Sequence, residues 1–214
     1  MMRKVTLVAA LVSCVVAAPA LAHKAGDVIF RAGAAVVAPN ESSDDVLGAG
    51  EFSIDDNTQL GLNFTYMVTD NFGVELLAAT PFQHDVSLAG VGKIAEVTHL
   101  PPTVMLQYYF DVGPLRPYVG AGLNATIFFD EEFNSTAKGV GLSNLDLDSS
   151  FGVAAQVGVD YQLNQNWLLN ASVWYLDIGT DVNFDATDMG VTTSYSINTD
   201  IDPWVYMLSV GYKF

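Results

Sequence analysis

The chain has 214 residues, enough for one domain of ordinary size, and it combines 50% hydrophobic residues with a formal net charge of −16. Because 8 Lys and Arg face 24 Asp and Glu, the chain lacks the basic surface that neutralises phosphates, which excludes nucleic-acid binding. No apolar run after residue 22 reaches the roughly 18 residues that a transmembrane helix needs. An exported hydrophobic chain of this kind can cross a membrane only as a closed barrel.

Residues 1–22 have the features of a secretory signal peptide. A basic start at Arg3 and Lys4 precedes an apolar core, and an A-x-A cleavage site ends at Ala22. We therefore expect export, with cleavage after Ala22 leaving residues 23–214 as the mature chain. Loss of the two basic residues would make that mature chain still more acidic.

Cys14, the only cysteine, lies inside the predicted signal peptide. The three residues before it, Leu-Val-Ser, resemble a lipoprotein box, which would make Cys14 a lipidated N-terminus. That alternative leaves only residues 5–10 as the apolar core, which is shorter than the roughly 7–15 residues usual in signal peptides. With cleavage after residue 22, the mature chain would have no thiol and no disulfide, although export would permit one.

Eight segments of the mature chain alternate apolar with polar or small side chains at a period of two, which predicts strands. They are residues 28–37, 58–68, 72–80, 100–110, 116–129, 151–161, 167–176 and 202–214. Most are roughly 9–13 residues long, which matches a tilted crossing of about 30 Å of hydrocarbon. The even count suits a closed antiparallel barrel. The sequence therefore predicts an all-β fold, an eight-stranded antiparallel transmembrane β-barrel of the bacterial outer membrane, in one domain.

The last segment carries the clearest lipid-facing pattern. One face of it is apolar throughout and aromatic at both ends: Trp204, Tyr206, Leu208, Val210, Tyr212 and Phe214. Aliphatic residues between aromatic girdles are what a lipid-facing strand needs, although an edge strand of a soluble sandwich is the alternative. The terminal Phe214 resembles the C-terminal signal of outer-membrane barrels, so we expect the barrel-assembly machinery to be a partner through this residue.

The connections between the predicted strands alternate in length. Residues 69–71, 111–115 and 162–166 are short and rich in turn-forming residues, whereas residues 38–57, 81–99, 130–150 and 177–201 are long. Short periplasmic turns and long extracellular loops are typical of such barrels, which places both termini in the periplasm. Most acidic residues fall in the long loops. These acidic residues indicate solvated loops. The functional alternative is a cation-attracting rim, or bridging of lipopolysaccharide by divalent ions.

Four ionisable side chains fall on the inward face of the predicted strands: Arg31, Glu75, Asp160 and Lys213. The strand directions place all four near the periplasmic mouth, two of each sign. Since unpaired charges in a narrow interior are costly, we predict a compensated charge cluster that closes that end.

Above this level the inward face becomes apolar, with Leu77, Met105, Phe128, Trp174 and Leu176. An eight-stranded barrel is just wide enough to be filled by its side chains or to hold one small ligand. Leu and Trp would not line a water channel. The pattern fits a path or pocket for a small hydrophobic molecule, and plain core packing is the alternative.

The sequence offers little support for catalysis. His84 and Asp85 are adjacent and His99 begins the fourth predicted strand, but neighbours on an extended chain point to opposite sides. No G-x-S-x-G nucleophile motif is present. There is neither EF-hand spacing nor a His/Cys cluster, so we predict no dedicated metal site. We also predict that the protein is not an enzyme and has no cofactor.

Six stretches of the mature chain together resemble the OmpW family of outer-membrane proteins. They are NTQLGLNFTYMVTDNFGVELLAATPF (57–82), HLPPT (99–103), RPYVGAGLN (116–124), AAQVGVDYQLN (154–164), SVWYLDI (172–178) and DPWV (202–205). The resemblance implies a monomeric eight-stranded barrel whose hydrophobic channel passes small apolar compounds and releases them sideways through a gap in the wall. It also implies a channel constriction at Leu77 and Trp174, which lie in matching motifs. Some members of the family serve as colicin receptors. The first, third and fourth long loops of this chain match no motif of the family, so the resemblance does not extend to roles of this kind that depend on the loops.

We therefore expect an outer-membrane channel for uptake of small hydrophobic molecules. Leu77 and Trp174 would form its constriction, with Met105, Phe128 and Leu176 lining it. Outer-membrane lipid, lipopolysaccharide and small apolar ligands are the expected partners. Two alternatives are a narrow, cation-leaning ion pore and a structural or adhesive surface protein, or bacteriocin receptor, that acts through its loops.

Overall fold

The computed structural model describes residues 23–214, so the predicted signal peptide lies outside the described residues. All eight predicted strands are present, together with seven further strands and one short helix. In chain order the elements are β1 (Val28–Ala38), β2 (Ser42–Ser43), β3 (Phe52–Ile54), β4 (Asn57–Met67), β5 (Phe72–Ala79), β6 (Phe82–Leu88), β7 (Gly92–Leu100), β8 (Thr103–Tyr109), β9 (Leu115–Phe133), α1 (Ser135–Gly139), β10 (Leu142–Leu147), β11 (Ser150–Gln162), β12 (Trp167–Leu176), β13 (Gly179–Asp188), β14 (Val191–Asp200) and β15 (Trp204–Lys213). No helix within the described residues is long and apolar enough to cross a membrane.

Eight of these strands form a closed antiparallel barrel. Their order is β1, β4, β5, β8, β9, β11, β12 and β15, and β15 pairs again with β1. The first and last strands pair over ten positions, from Ile29 opposite Lys213 to Ala38 opposite Trp204. The terminal Phe214 extends this seam because its amide donates to the Val28 carbonyl at 2.9 Å. The barrel therefore leaves no open edge, as a membrane-spanning sheet requires.

The outer surface of the barrel carries the predicted lipid-facing pattern. At the periplasmic end, outward-facing aromatic side chains contact one another in pairs: Phe30 with Phe64, Phe72 with Tyr108, Tyr108 with Phe110, Trp167 with Tyr212, and Tyr212 with Phe214. Tyr175 and Trp204 form such a pair at the opposite end. Exposed aliphatic residues such as Leu106, Leu123 and Leu208 lie between the two ends. An apolar band between aromatic girdles is the surface that a bilayer selects.

The long connections, predicted only as extracellular loops, fold into a β-structured extension above the barrel. β9 has 19 residues and continues past the barrel, where it pairs with β7, which is followed in the sheet by β6 and β3. A second sheet has the order β10, β13, β14 and β2. The two sheets share an apolar core that includes Phe52, Ile94, Phe133, Val182 and Phe184. This core gives the extension a fixed shape.

The predicted strand over residues 100–110 is wrong at its start. β8 begins only at Thr103, while His99 and Leu100 belong to β7 and pair with β9. Pro101 and Pro102 separate the two strands. The φ angle of proline is fixed, and proline has no N–H group to donate to a strand ladder. The ladder between β5 and β8 accordingly ends at the pair Leu77–Thr103.

Candidate functional site

The inward face of the barrel is where the sequence predicted functional residues, and eight of the nine predicted side chains are buried there. Arg31, Glu75, Leu77, Met105, Phe128, Asp160, Trp174 and Leu176 all face inward, and Lys213 is partly exposed. Eight of the nine positions are thus buried, and their roles as constriction, lining and charge cluster stay predictions. How these side chains meet across the barrel depends on strand register.

Arg31 lies at the centre of a polar network in the periplasmic half. Its Nε and Nη2 donate to the two Asp160 carboxylate oxygens at 3.1 and 2.5 Å, a bidentate ion pair. Its Nη1 donates to Thr65 Oγ1 at 2.7 Å and lies 3.7 Å from Glu75 Oε2. Tyr109 Oη accepts a further bond from Nη2 at 3.1 Å. A guanidinium can be buried here because its donors have acceptors around it.

The network closes into a ring through two glutamines. Tyr109 Oη donates to Gln107 Oε1 at 2.7 Å, and Gln107 Nε2 donates to Gln156 Oε1 at 2.9 Å. Gln156 Nε2 then donates to Glu75 Oε1 at 3.0 Å, and Glu75 faces Arg31. All five side chains are 3% exposed or less. The ring links β1, β5, β8 and β11 across the barrel interior.

Asp160 also contacts residues that the sequence analysis did not select. His23 Nε2 lies 3.0 Å from Asp160 Oδ2, and Asn170 Nδ2 donates to Asp160 Oδ1 at 2.8 Å. Asn170 Nδ2 also donates to Tyr118 Oη at 3.0 Å. Gly158 permits this arrangement, since a Cβ at that position would overlap the Tyr118 ring. The parity rule could have found Asn170 and Tyr118. It could not find His23, which precedes the first strand.

Lys213, the fourth predicted member of the charge cluster, occupies a different place. Its Nζ pairs with Asp27 at 3.4 Å, and both side chains are partly exposed. The register explains this, because Arg31 is opposite Gly211 and Lys213 is opposite Ile29, nearer the periplasmic end. The structure therefore brings three of the four predicted charges together, and His23 joins Asp160 from below.

The extracellular half of the barrel interior is apolar. The five predicted residues Leu77, Met105, Phe128, Trp174 and Leu176 belong to one buried cluster. The cluster also contains Phe82 of β6 and Val97 of β7, together with Ile178 and Ile201, which lie just outside β13 and β14. We call this cluster with the cavities above it the apolar compartment.

The register places Leu77 and Trp174 at the floor of the apolar compartment. Leu77 is opposite Asn63 in the β4–β5 ladder, and Trp174 is opposite Gln156 in the β11–β12 ladder. Both polar partners belong to the upper edge of the network around Arg31. The predicted constriction residues therefore lie where the apolar interior meets the polar one.

Three apolar cavities rise from this floor toward the extracellular side. The lowest, of about 10 Å³, is lined by Leu77, Leu176 and the wall residues Ala79 and Pro101. The next, of about 40 Å³, shares Val37 with it. The uppermost, also of about 40 Å³, lies between the two sheets of the extension. The upper two share five lining residues, Ile54, Val86, Val97, Leu147 and Ile201, so the cavities form one stacked series.

Two buried polar atoms in this region have no hydrogen-bond partner among the described residues: Trp174 Nε1 and His99 Nδ1. His99 is 5% exposed and lines the middle cavity, and its Nε2 lies 3.0 Å from Nε2 of His84. Burial, together with the neighbouring His84, lowers the pKa of His99 to about 3. Both rings lie in the extension, above the eight barrel strands, and the sequence analysis considered them only as poor catalytic candidates.

A closed eight-stranded barrel with an aliphatic outer band between aromatic girdles is an integral protein of the bacterial outer membrane. The sequence matches the OmpW family over residues 24–214, and the chain belongs to that family. It is 51% identical over 216 residues to outer membrane protein W of Escherichia coli, covering 100% of both chains.

Structural similarity agrees with this assignment, and a more distant relative is similar over most of the chain. The crystal structure of the outer membrane protein OprG from Pseudomonas aeruginosa matches with a TM-score of 0.85 at 46% identity, covering 91% of this chain and 98% of that chain. The dibenzothiophene metabolism operon protein PahQ of Pseudomonas aeruginosa is 25% identical over 169 residues, which cover 77% of this chain and 75% of that protein.

Proposed function

We propose that this barrel takes up small hydrophobic molecules from the extracellular side and releases them sideways into the membrane. The observation that carries the proposal is the stacked series of apolar cavities, which runs from the extension down to Leu77. Trp174 packs in the same buried cluster as Leu77. Phe128 and Leu176 line cavities of this series, and Met105 packs in the same buried cluster beside the constriction of Leu77 and Trp174. No catalytic step is part of the proposed function.

The polar network below the constriction is the reason to propose a sideways exit. An apolar molecule that continued downward would have to separate Arg31 from Asp160 and Glu75, and each buried charge left unpaired is costly. The same closed network argues against a steady ion pore, since ions would meet a ring of bonded side chains. We therefore assign Arg31, Glu75 and Asp160 the role of closing the periplasmic end, with Lys213 pairing at the rim.

The barrel wall beside the lowest cavity is where we place the exit. The β5–β8 ladder stops at Leu77–Thr103, and Pro101 and Pro102 above it have no N–H groups to donate. Ala78, Ala79 and Pro101 line the lowest cavity, so the wall there consists of small side chains next to interrupted pairing. The relative named for a dibenzothiophene metabolism operon supports an apolar cargo, because dibenzothiophene is an apolar aromatic compound.

Two neighbouring alanines offer a test of the path. Ala35 is 1% exposed and lines the lowest cavity, whereas Ala34 faces lipid. Uptake of N-phenyl-1-naphthylamine, an apolar dye that brightens in lipid, would be measured in cells with intact lipopolysaccharide. We expect Ala35→Phe to abolish the protein-dependent uptake and Ala34→Phe to preserve it. Equal uptake by both variants, at equal amounts of folded barrel, would contradict the interior path.

The sideways exit has a separate test. Residues 23–214 contain no cysteine, so a cysteine pair introduced at Ala79 and Pro101 in this part of the chain can be crosslinked without side reactions. A second pair, at Tyr66 and Val74, crosses an intact part of the β4–β5 ladder away from the lowest cavity and serves as the control. We expect crosslinking at the first pair to slow dye uptake and crosslinking at the second to leave it unchanged. Unchanged uptake in both would place the exit elsewhere.

A surface protein that acts through its extension is the second candidate function. The observation in its favour is that the extension is itself β-structured and presents an exposed hairpin tip, where Met189 is 97% exposed. On this alternative, uptake would not depend on Ala35, and replacing the β13–β14 hairpin with a short turn would abolish surface binding while the barrel stayed intact.

A further inference from the structure

The histidine pair of the extension has a proton arrangement that its neighbours determine. His84 Nδ1 lies 2.5 Å from the carbonyl oxygen of Asp55, and that oxygen can only accept. His84 Nδ1 therefore carries the proton, which leaves a lone pair on Nε2 of a neutral ring. His99 Nε2, at 3.0 Å, must then donate to that lone pair. A neutral His99 that donates through Nε2 has a bare lone pair on Nδ1.

That lone pair lies in an apolar setting. His99 contacts the rings of Phe82 and Phe128 at 5.6 and 5.9 Å between centroids and lines the middle cavity. Its Nδ1 has no hydrogen-bond partner among the described residues. Leaving a buried acceptor unpaired costs free energy, so a histidine kept only for packing would be less stable here than an aromatic residue without nitrogen. The low pKa of His99 keeps this acceptor unprotonated at neutral pH.

We propose that His99 Nδ1 accepts a hydrogen bond from a hydroxyl group on the cargo, so that the apolar compartment selects alcohols over ethers and alkanes of the same size. This inference rests on the proposed function and names the substrate class of the same site. His84 acts as a positioning residue, because its bond to Asp55 fixes which nitrogen of His99 stays free. The selectivity arises because a hydroxyl group can donate a hydrogen bond to His99 Nδ1, whereas a hydrocarbon cannot.

Three probes of equal heavy-atom count separate the contributions to binding. 1-Octanol and heptyl methyl ether are isomers, and only the alcohol can donate; n-nonane has no polar atom. The mature protein, residues 23–214, would be placed in phospholipid nanodiscs with ¹⁵N-labelled His and Trp. The indole N–H of Trp174 reports occupancy of the compartment by any probe, since Trp174 belongs to its floor. The Nδ1 resonance of His99 reports hydrogen bonding to the probe.

We expect all three probes to shift the Trp174 signal and only 1-octanol to shift His99 Nδ1. The apparent affinity for 1-octanol should exceed that for the ether by about three- to tenfold, the range of one net hydrogen bond. His99→Phe should remove this preference while the ether still binds. Thr98→Val is the control, because it removes a hydroxyl from the same strand at a neighbouring, half-buried position. This variant should keep the preference for 1-octanol over the ether.

The outcomes are distinguishable. If Trp174 responds equally to the three probes and His99 Nδ1 to none, the inference fails while apolar uptake stands. If Trp174 responds to no probe, the proposed function fails and the inference with it. If His99→Phe does not fold, the comparison of the two isomers on the unaltered protein still decides the inference. A preference for 1-octanol that survives in His99→Phe would also overturn it.

Discussion

The two halves of the barrel interior use the same strands in opposite ways. The periplasmic half holds Arg31, Asp160 and Glu75 at 0% exposure within a ring of hydrogen bonds, whereas the extracellular half is apolar and contains small cavities. In the first, the three charged side chains are held by directional hydrogen bonds and ion pairs. In the second, packing is nondirectional, and the space can change when a guest enters. A barrel of one width thus contains a rigid seal and an adaptable compartment.

The border between the halves is narrow. Leu77 and Trp174 are ladder partners of Asn63 and Gln156, so apolar and polar interior residues are direct cross-strand neighbours. A cargo that reaches Leu77 therefore faces the seal without an intermediate zone. The predictions below test the difference between the halves, from the largest expected effect to the smallest.

Removing the guanidinium should break the seal. Arg31→Met leaves the Asp160 and Glu75 carboxylates buried without their cation, which we expect to lower the free energy of unfolding by about 3–5 kcal/mol. Urea unfolding of the barrel in phospholipid vesicles measures this. Lys138→Met, which breaks the exposed ion pair with Glu132, is the control and should change little. A loss no larger than that of the control would show that the network is not a rigid seal.

Truncation at the constriction should separate stability from transport. Leu77→Ala removes a side chain that is 5% exposed, so we expect a loss of about 2–4 kcal/mol together with faster dye uptake. Leu168→Ala is the matched control, because Leu168 is buried in the small apolar layer below the polar network. We expect the control to lose similar stability without a gain in uptake. Faster uptake in both would mean that general loosening, rather than the constriction, limits passage.

Neutralising one carboxylate should loosen the seal without removing it. Glu75→Gln keeps the shape of the side chain and weakens its interaction with Arg31, so a loss of about 1–3 kcal/mol is expected. Planar-bilayer recordings should show a higher conductance than the unaltered protein. Asp160 and its bidentate pair would stay in place. Unchanged conductance would contradict the role of Glu75 in closing the periplasmic end.

Acidification should affect the apolar half through its histidines. His99 has a pKa of about 3 in the folded protein against 6.5 for the free side chain, so its contribution to stability is present above 6.5 and is lost as the pH falls toward 3. Burial also lowers the pKa of His84, while the carboxylates of Asp55, Asp56 and Asp85 oppose that change.

Urea unfolding at pH 7.5 and 5.5 measures the effect. We expect the unaltered protein to lose about 1.4 kcal/mol more than His99→Phe over this interval, which corresponds to one pH unit below 6.5. Because His99→Phe keeps every other titratable group, the difference between the two proteins isolates the contribution of His99. Equal losses in both would show that His99 is not buried as a neutral ring.

Several features of the barrel could be predicted from the sequence because they depend on local period. In β15, alternate residues from Trp204 to Phe214 face lipid, as predicted, and Met207 and Ser209 between them are buried. The start of β8 was placed three residues too early, because the alternation continues through Pro101 and Pro102 although the ladder does not. The strands of the extension were missed, since their two-sheet core is formed by residues distant in the chain.

The sequence by itself determined the number of barrel strands, their lipid-facing side and the candidate inward residues, because a period of two assigns every side chain to one face of a sheet. Only the tertiary structure decided which inward residues meet. The register of β15 against β1 placed Lys213 beside Asp27 rather than in the cluster with Arg31. The segment that precedes β1 placed His23 against Asp160. The tertiary structure also brought His84 and His99 together from two strands of the extension, and this left His99 Nδ1 without a hydrogen-bond partner among the described residues. Contacts across a barrel depend on stagger and closure, and these are set by the whole fold rather than by any single segment.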